Sequence, residues 1–310
     1  MNERALAILE FPKVLQRLTA SCSFAASRQL ALDLKPSPDY SEVVRRQRLT
    51  AEGRRLHDLK PNLALGQARD IRGHAAQAAL GHALLPEELL ELAGTLSLAQ
   101  TAHSTVTRLR DQLPLLAEMA DAIEDFGSLV VDIQRCINPR AEVTDAASPM
   151  LAQLRRHVRQ AHDRLLNQLQ SLIGSTTGRN AVQEPIVTLR DGRYVIPVKA
   201  ELRGQVPGIV HDVSASGATV FLEPLAVVEL GNSWRELQLE EQREVERILR
   251  ELSLQVGDYA REIEAAVQAL AEIDLALAKA RLGESFGALD LPEPGEEQSW
   301  ITPDAERLRL

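Results

Sequence analysis

The stretch IVTLRDGRYVIPVK, Ile186 to Lys199, interrupts a chain that otherwise has the pattern of long charged helices. Two runs rich in β-branched residues flank Asp191-Gly192, a dipeptide suited to a two-residue type I′ turn. We therefore predict a β-hairpin whose second strand has one apolar face. The side chains expected on that face are Tyr194, Ile196 and Val198, with Arg193 and Lys199 on the other. Pro197 cannot donate to a ladder, so its strand should be an edge strand or leave this position unpaired.

A second hairpin should follow, formed by GIVHDV (208–213) and ATVFL (218–222). Its connection, Ser214 to Gly217, joins strand to strand, whereas phosphate-binding glycine loops lead into a helix and carry a lysine. In a regular strand His211 and Asp212 would point to opposite faces, which argues against a catalytic triad with Ser214. Asp212 and Ser214 are more simply explained as turn-shaping residues that bond backbone amides.

Amphipathic helices flank these hairpins. Ser148 and Pro149 are typical of a helix start, and the helix that follows, residues 148–178, has an apolar stripe opposite a basic face. A second, acidic helix should run from Pro224 to about Gly283, with weak points at Gly231 and Gly257. Two oppositely charged helices with one stripe each predict an antiparallel pair. About 30 paired residues would carry the hairpins roughly 45 Å outward as a lever.

The remaining sequence limits the classes of function. Residues 1–147 are predicted to form one helical domain, and aromatic residues are only 3% of the chain, which favours packed helices. A net charge of -9 argues against a uniformly basic coat but not against a local basic surface.

The chain has no apolar run long enough for a membrane span, and we expect a cytoplasmic protein with two buried thiols, Cys22 and Cys136. His157 and His162 are spaced too unfavourably to share a metal, so no metal site is predicted.

LRDGRYVIPVK (Leu189 to Lys199), HDVSASGATVFLEP (His211 to Pro224) and the helical sequence after them resemble the bacterial MutS-two family, a branch related to the mismatch-repair MutS proteins. The segment LDLKPSPDY (Leu32 to Tyr40) fits the same family. The resemblance covers essentially the whole chain, and its core, Val187 to Pro224, is specific.

The resemblance implies a mainly α fold, with a helical core, long antiparallel lever helices and a small antiparallel β clamp at the lever tip. The expected divisions are a core (1–147), an ascending lever helix (148–178), the clamp (179–223), a descending lever helix (224–285) and a linker (286–310). Full-length members continue into a dimerising ATPase domain, which would bind ATP and magnesium, and usually into a nuclease domain. We expect this chain to stop near the start of the ATPase, with no catalytic residue and no cofactor of its own.

The family is associated with branched DNA and the restraint of recombination, and with collided ribosomes that it splits. Mismatch-repair MutS proteins carry an N-terminal mismatch-reading domain with a Phe-x-Glu motif, whereas this chain is expected to start directly in the helical core, so mismatch reading is not expected. Phe221-Leu222-Glu223 matches the motif only by coincidence, at the exit of a predicted strand. Candidate phosphate contacts are Arg179, Arg190, Arg193, Lys199 and Arg203. Residues expected to shape the clamp are Asp191, Gly192, His211, Asp212, Ser214, Ser216, Gly217, Glu223 and Pro224. The alternative is a protein-interaction or homodimerising module without direct contact to DNA or ribosomal RNA.

Overall fold

The computed structural model describes residues 3–63 and 65–287, and most of the predicted linker (286–310) therefore lies outside the described residues. The described residues form two compact units, a helical unit within 3–142 and 249–287 and a sheet unit (143–248). The architecture is mainly α with one small antiparallel sheet, which confirms the predicted fold class. None of the helices described is long and apolar enough to span a membrane.

The helical unit contains the amino-terminal helices and the last described helix. Its helices are α1 (Glu3–Ile8), α2 (Phe11–Ser21), α3 (Ala25–Leu32), α4 (Tyr40–Leu59), α5 (Arg72–Ala79), α6 (Pro86–Thr107), α7 (Pro114–Ala120), α8 (Gly127–Cys136) and α12 (Ala260–Ser285). The Asp39 side chain caps α4 by accepting the backbone N–H groups of Ser41 and Glu42. The Ser41 hydroxyl also donates to Asp39 and lowers the pKa of this carboxyl.

Helix α12 is the central helix of the helical unit. It packs against α2, α3, α4, α5, α6 and α7, and buried residues occur around most of its circumference. Asp274, fully buried on α12, accepts hydrogen bonds from the Ser23 amide and the Ser27 hydroxyl and pairs with Arg281. The apolar repeat in this part of the sequence therefore forms the core of a helical bundle.

The single helix predicted for residues 224–285 is divided in the structure. Helix α11 (Leu225–Asp258) ends before Tyr259, and α12 begins after it. The Tyr259 ring packs edge-on against Phe126, with 6.0 Å between centroids. The break lies two residues beyond Gly257, one of the two weak points in the pattern.

Both cysteines are buried free thiols, as the sequence predicted. Burial, together with the nearby charge of Asp274, raises the pKa of Cys22 to about 11. The Cys22 thiol is therefore protonated at neutral pH and packs as a small apolar group.

The sheet unit combines two long helices with four short strands. Its elements are α9 (Pro149–Gly174), α10 (Thr176–Ala181), β1 (Thr188–Arg190), β2 (Arg193–Lys199), β3 (Gly208–Val213), β4 (Thr219–Pro224) and α11 up to residue 248, with short 3-10 helices at Asp145–Ala147 and Ala200–Gln205. The sheet is antiparallel throughout, in the order β1-β2-β4-β3. Both predicted hairpins are confirmed, and the pairing of β2 with β4 joins them.

The first hairpin has the turn that its sequence predicts. Asp191 and Gly192 have φ values of 48° and 74°, and Arg190 lies opposite Arg193. Pro197 lies in an interior strand rather than an edge strand. Its carbonyl accepts the Gln183 N–H, on the side away from β4, so the missing proline donor costs no β2–β4 hydrogen bond.

One face of the sheet forms the core of this unit. Apolar side chains of the strands pack there against α9, α10 and the start of α11. The buried members of this cluster are Leu165, Leu169, Ile173, Ala181, Val182, Ile196, Val198, Leu222 and Val227. Tyr194 is partly buried against the same cluster, as expected for its shared face with Ile196 and Val198.

Candidate nucleic-acid interface

Helices α9 and α11 are antiparallel neighbours joined by polar contacts. Arg155 pairs with Glu241 (2.9 Å) and also with Asp145 (2.7 Å). The Ser148 hydroxyl, which caps α9, donates to Glu244 over 2.6 Å. Residue numbers rise along α9 as they fall along α11, and the basic helix meets acidic partners, as the charge pattern predicted.

Glu244 is the most strongly shifted carboxyl of this helix pair. Arg247, one turn along α11, donates two hydrogen bonds to it, and Ser148 adds a third. Together these donors, Arg247 above all, lower the pKa of Glu244 to about 2. The carboxylate therefore stays ionised and links the start of α9 to α11.

A trio of rings connects both helices to the sheet. His162 of α9, Tyr194 of β2 and Trp234 of α11 have ring centroids 5.3–5.4 Å apart. His162 Nε2 lies 2.8 Å from the Tyr194 hydroxyl. The trio was not predicted from the sequence. Aromatic residues are so few in this chain that Tyr194 and Trp234 could have been recognised as candidates for a shared contact.

A buried carboxylate lies at the end of β4. The Glu223 side chain is only 3% exposed, and its Oε2 lies 2.7 Å from His211 Nε2. Its Oε1 faces Arg193 Nη1 at 3.5 Å, and the same nitrogen donates to Asn232 of α11 over 2.8 Å. Arg193 is therefore mainly engaged inside the unit, and its role as a phosphate contact stays a prediction.

The prediction that His211 and Asp212 point to opposite faces is wrong. The ladder shifts register between Val210 and Asp212, so His211 is the extra residue of a β-bulge. His211 then reaches Glu223, and Asp212 reaches Arg190 (3.3 Å) on the same side of the sheet. This arrangement does not form a triad with Ser214, because in the described part of the chain the Ser214 hydroxyl contacts the Thr219 N–H and the Ser216 hydroxyl rather than His211.

The connection between β3 and β4 is held by its own side chains. Ser214 accepts the Thr219 N–H over 3.1 Å, and Asp212 accepts the Val213 N–H over 2.8 Å. The Ser216 hydroxyl lies 3.3 Å from that of Ser214, and Gly217 has a φ of 71°. These hydroxyls and amides are thus used within a strand-to-strand turn.

Arg190 of the sheet unit stacks on an aromatic ring. Its guanidinium carbon lies 4.5 Å from the centroid of the Phe221 ring, and its Nε faces Asp212. The side chain nevertheless remains 42% exposed. The stacking limits the orientations of the guanidinium while leaving part of it accessible to an anion.

The five candidate cations do not form one cluster. Arg190 and Arg193 lie opposite each other beside the hairpin turn. Lys199 lies at the other end of β2, about 20 Å from Arg193 at the usual rise per residue of a strand. It donates to the Asn180 carbonyl, next to Arg179. Arg179 is exposed and donates to the Gly174 carbonyl. Arg203 is also exposed, in the 3-10 helix of Ala200–Gln205, and has no ion pair among the described residues.

The chain is similar to three proteins named Endonuclease MutS2. The protein of Thermomicrobium roseum is 42% identical over 316 residues, which cover 100% of this chain and 40% of the relative. Those of Pelotomaculum thermopropionicum and Geobacillus thermodenitrificans are 43% and 41% identical over 288 and 291 residues, in each case 93% of this chain and 37% of the relative. No protein-family model matches the chain.

The chain therefore spans about two fifths of the length of these curated relatives. The aligned region of the Thermomicrobium roseum protein covers both the helical unit and the sheet unit. This similarity and the mainly α architecture with its small antiparallel sheet agree, and the chain belongs to the MutS2 family.

Proposed function

We propose that the sheet unit grips double-helical nucleic acid through its phosphate backbone, as part of a MutS-like protein. The clients would be branched DNA, whose recombination it would restrain, and the RNA of collided ribosomes. The observation that carries this proposal is Arg190, held over Phe221 yet 42% exposed on the clamp. Arg179 and Arg203 provide further exposed cations in the same unit.

The charge balance supports contacts that are weak and independent of base sequence. Residues 179–223 contain five basic and five acidic side chains. Contacts to phosphates position a protein without reading sequence, and two linked copies of a weak site bind much more tightly than one. We propose that a homodimer of the full-length protein supplies the second copy, and that ATP and Mg²⁺ act outside this chain to close the grip.

Comparative binding tests this function. We expect the 310-residue chain to bind a four-way DNA junction, duplex DNA and stalled ribosomes with affinities that fall steeply as salt rises, because binding releases counterions. The variant R179E/R190E/R203E should weaken this binding at least about tenfold while leaving the circular dichroism spectrum unchanged. Binding unaffected by salt and by this variant would refute a phosphate grip.

Arg193 is a poor choice for this experiment, although the sequence singled it out. A glutamate at position 193 would lie next to the buried carboxylate of Glu223 and would damage folding. The exposed positions 179, 190 and 203 avoid that ambiguity.

A second function is favoured by apolar side chains exposed on the hairpins. Leu189, Ile209 and Val213 are 51%, 44% and 49% exposed. These side chains lie on the two edge strands of the sheet, β1 and β3, where they could contact a protein partner or a second copy of the clamp. Analytical ultracentrifugation separates the two functions, since a concentration-dependent dimer without DNA or ribosome binding would favour this one.

A further inference from the structure

We infer that the outward face of α9 is a contact surface for the backbone of a DNA duplex. This basic face is defined by Arg156, Arg159 and Arg164. The inference rests on the proposed function and deepens it by naming a further contact surface. None of these three arginines was among the phosphate contacts predicted from the sequence. The inference therefore extends the expected DNA contact from the clamp to the helix that precedes it, α9.

The three arginines are exposed and have no internal partner. No hydrogen bond or ion pair joins their guanidinium groups to any residue in the described part of the chain. They lie opposite the buried stripe of α9. The buried residues of that stripe are Leu151, Leu154, Leu165, Leu169 and Ile173.

Three other arginines of the sheet unit are engaged by side chains of the same unit. Arg155 is bound by Asp145 and Glu241, Arg193 by Glu223 and Asn232, and Arg190 by Asp212. A phosphate must displace a carboxylate to reach those guanidinium groups fully. On the basic face it displaces only water and salt ions, which is the contact that counterion release favours.

The neighbouring side chains also suit an anion. Asp163 is the only acid on α9, and the exposed polar residues around it are Gln160, Asn167 and Gln168, whose amides can donate to phosphate. Within the sheet unit, α11 exposes four glutamates, Glu229, Glu236, Glu240 and Glu246, and three arginines, Arg235, Arg243 and Arg247. The exposed charge of α9 is therefore net positive and that of α11 slightly negative, which favours a polyanion at α9.

The spacing of the arginines fits a duplex of the B form. Arg159 and Arg164 are five residues apart, so roughly 140° separates them around the helix axis, and Arg156 lies between these directions. From Arg156 to Arg164 the helix rises about 12 Å. A helix with cations on both flanks can contact both rims of the B-DNA major groove, about 12 Å wide, whereas the major groove of A-form RNA is too narrow.

Fluorescence anisotropy with a 30-base-pair DNA duplex tests this inference. In R156E/R159E/R164E we expect at least about a tenfold loss of affinity, and a plot of log affinity against log salt that is shallower by about 2 to 3 units. The matched control R69E/R108E/R140E makes the same change in charge at exposed arginines of the helical unit. It should bind within about threefold of the original protein.

The possible outcomes separate the two proposals. If the original chain binds no nucleic acid, the proposed function fails, and this inference fails with it. If the chain binds DNA and the α9 variant matches the control, only the inference is overturned. An equal loss on a 30-base-pair RNA duplex would overturn the assignment to DNA. Circular dichroism shows whether each variant is folded. The milder variant R156Q/R159Q/R164Q removes the positive charges without adding negative ones and should also lose affinity.

Discussion

Arg155 on α9 donates through its Nε to Glu241 on α11 over 2.9 Å, and this contact joins two helices through residues that are 86 positions apart in sequence. The same guanidinium bonds Asp145 just before α9. Both partners of the interhelical pair are about three-quarters buried, with 24% and 26% of their side chains exposed. The pair therefore has a better-defined geometry than an ordinary surface ion pair.

A double-mutant cycle on R155A and E241A should give a coupling energy of about 0.5–1.5 kcal/mol, since a partly buried, charge-assisted hydrogen bond exceeds an exposed one. Urea unfolding followed by Trp fluorescence would provide the free energies. The exposed pair Lys13–Glu10 is the control and should couple by less than about 0.5 kcal/mol. Equal coupling energies in the two cycles would show that the Arg155–Glu241 pair is no stronger than an exposed surface pair.

Glu244 should make the stability of the sheet unit sensitive to acid. Its pKa is lowered to about 2, so its stabilising contribution is complete above its ordinary pKa near 4.5 and is lost as pH falls toward 2. E244Q should lose on the order of 1 kcal/mol at pH 6 and show a flatter stability profile between pH 4.5 and 2.5. Thermal unfolding across that range provides the measurement, and parallel profiles for both proteins would disprove the assignment.

Gly178 should not tolerate any side chain. A Cβ there would lie 1.9 Å from the Leu172 carbonyl oxygen, so the backbone between α9 and α10 would have to move. We expect G178A to lower the free energy of unfolding by about 2 kcal/mol or more. The matched control is G174A, four residues earlier, where a Cβ meets nothing within 4 Å. A similar small effect in both variants would show that this junction is less tightly packed.

The His211–Glu223 contact should matter for folding rather than for catalysis. H211A leaves a nearly buried carboxylate with only the longer Arg193 contact, which should cost about 1–3 kcal/mol. H211A/E223L, which removes the buried charge as well, should recover part of that loss. The exposed neighbour Asp212 serves as the control, because D212A should change stability by less than about 0.5 kcal/mol.

Local signals were sufficient to predict the two hairpins of the sheet unit. Asp191-Gly192 predicted the turn, and alternation predicted the face shared by Ile196 and Val198. Turn conformation and side-chain alternation depend on residues within a few positions of one another, so they can be inferred without the rest of the fold. The opposite charges of the flanking helices likewise indicated that they would pair.

Other features required contacts between distant segments. The bulge at His211 reverses the alternation expected for β3, and only the ladder with β4 reveals it. The division of the long helix at Tyr259 is recognised only when the packing of α12 among the amino-terminal helices is known. Periodicity reports that a stripe is buried but does not say which partner buries it.

The sequence by itself determined the family, the mainly α fold, both hairpins and the antiparallel charge-matched helices. Tertiary structure decided which charges are engaged internally: Arg193 faces Glu223, whereas Arg156, Arg159 and Arg164 have no internal partner among the described residues. The physical reason is that a charge pairs with whatever lies within a few ångströms in space. That distance depends on the packing of segments far apart in the chain.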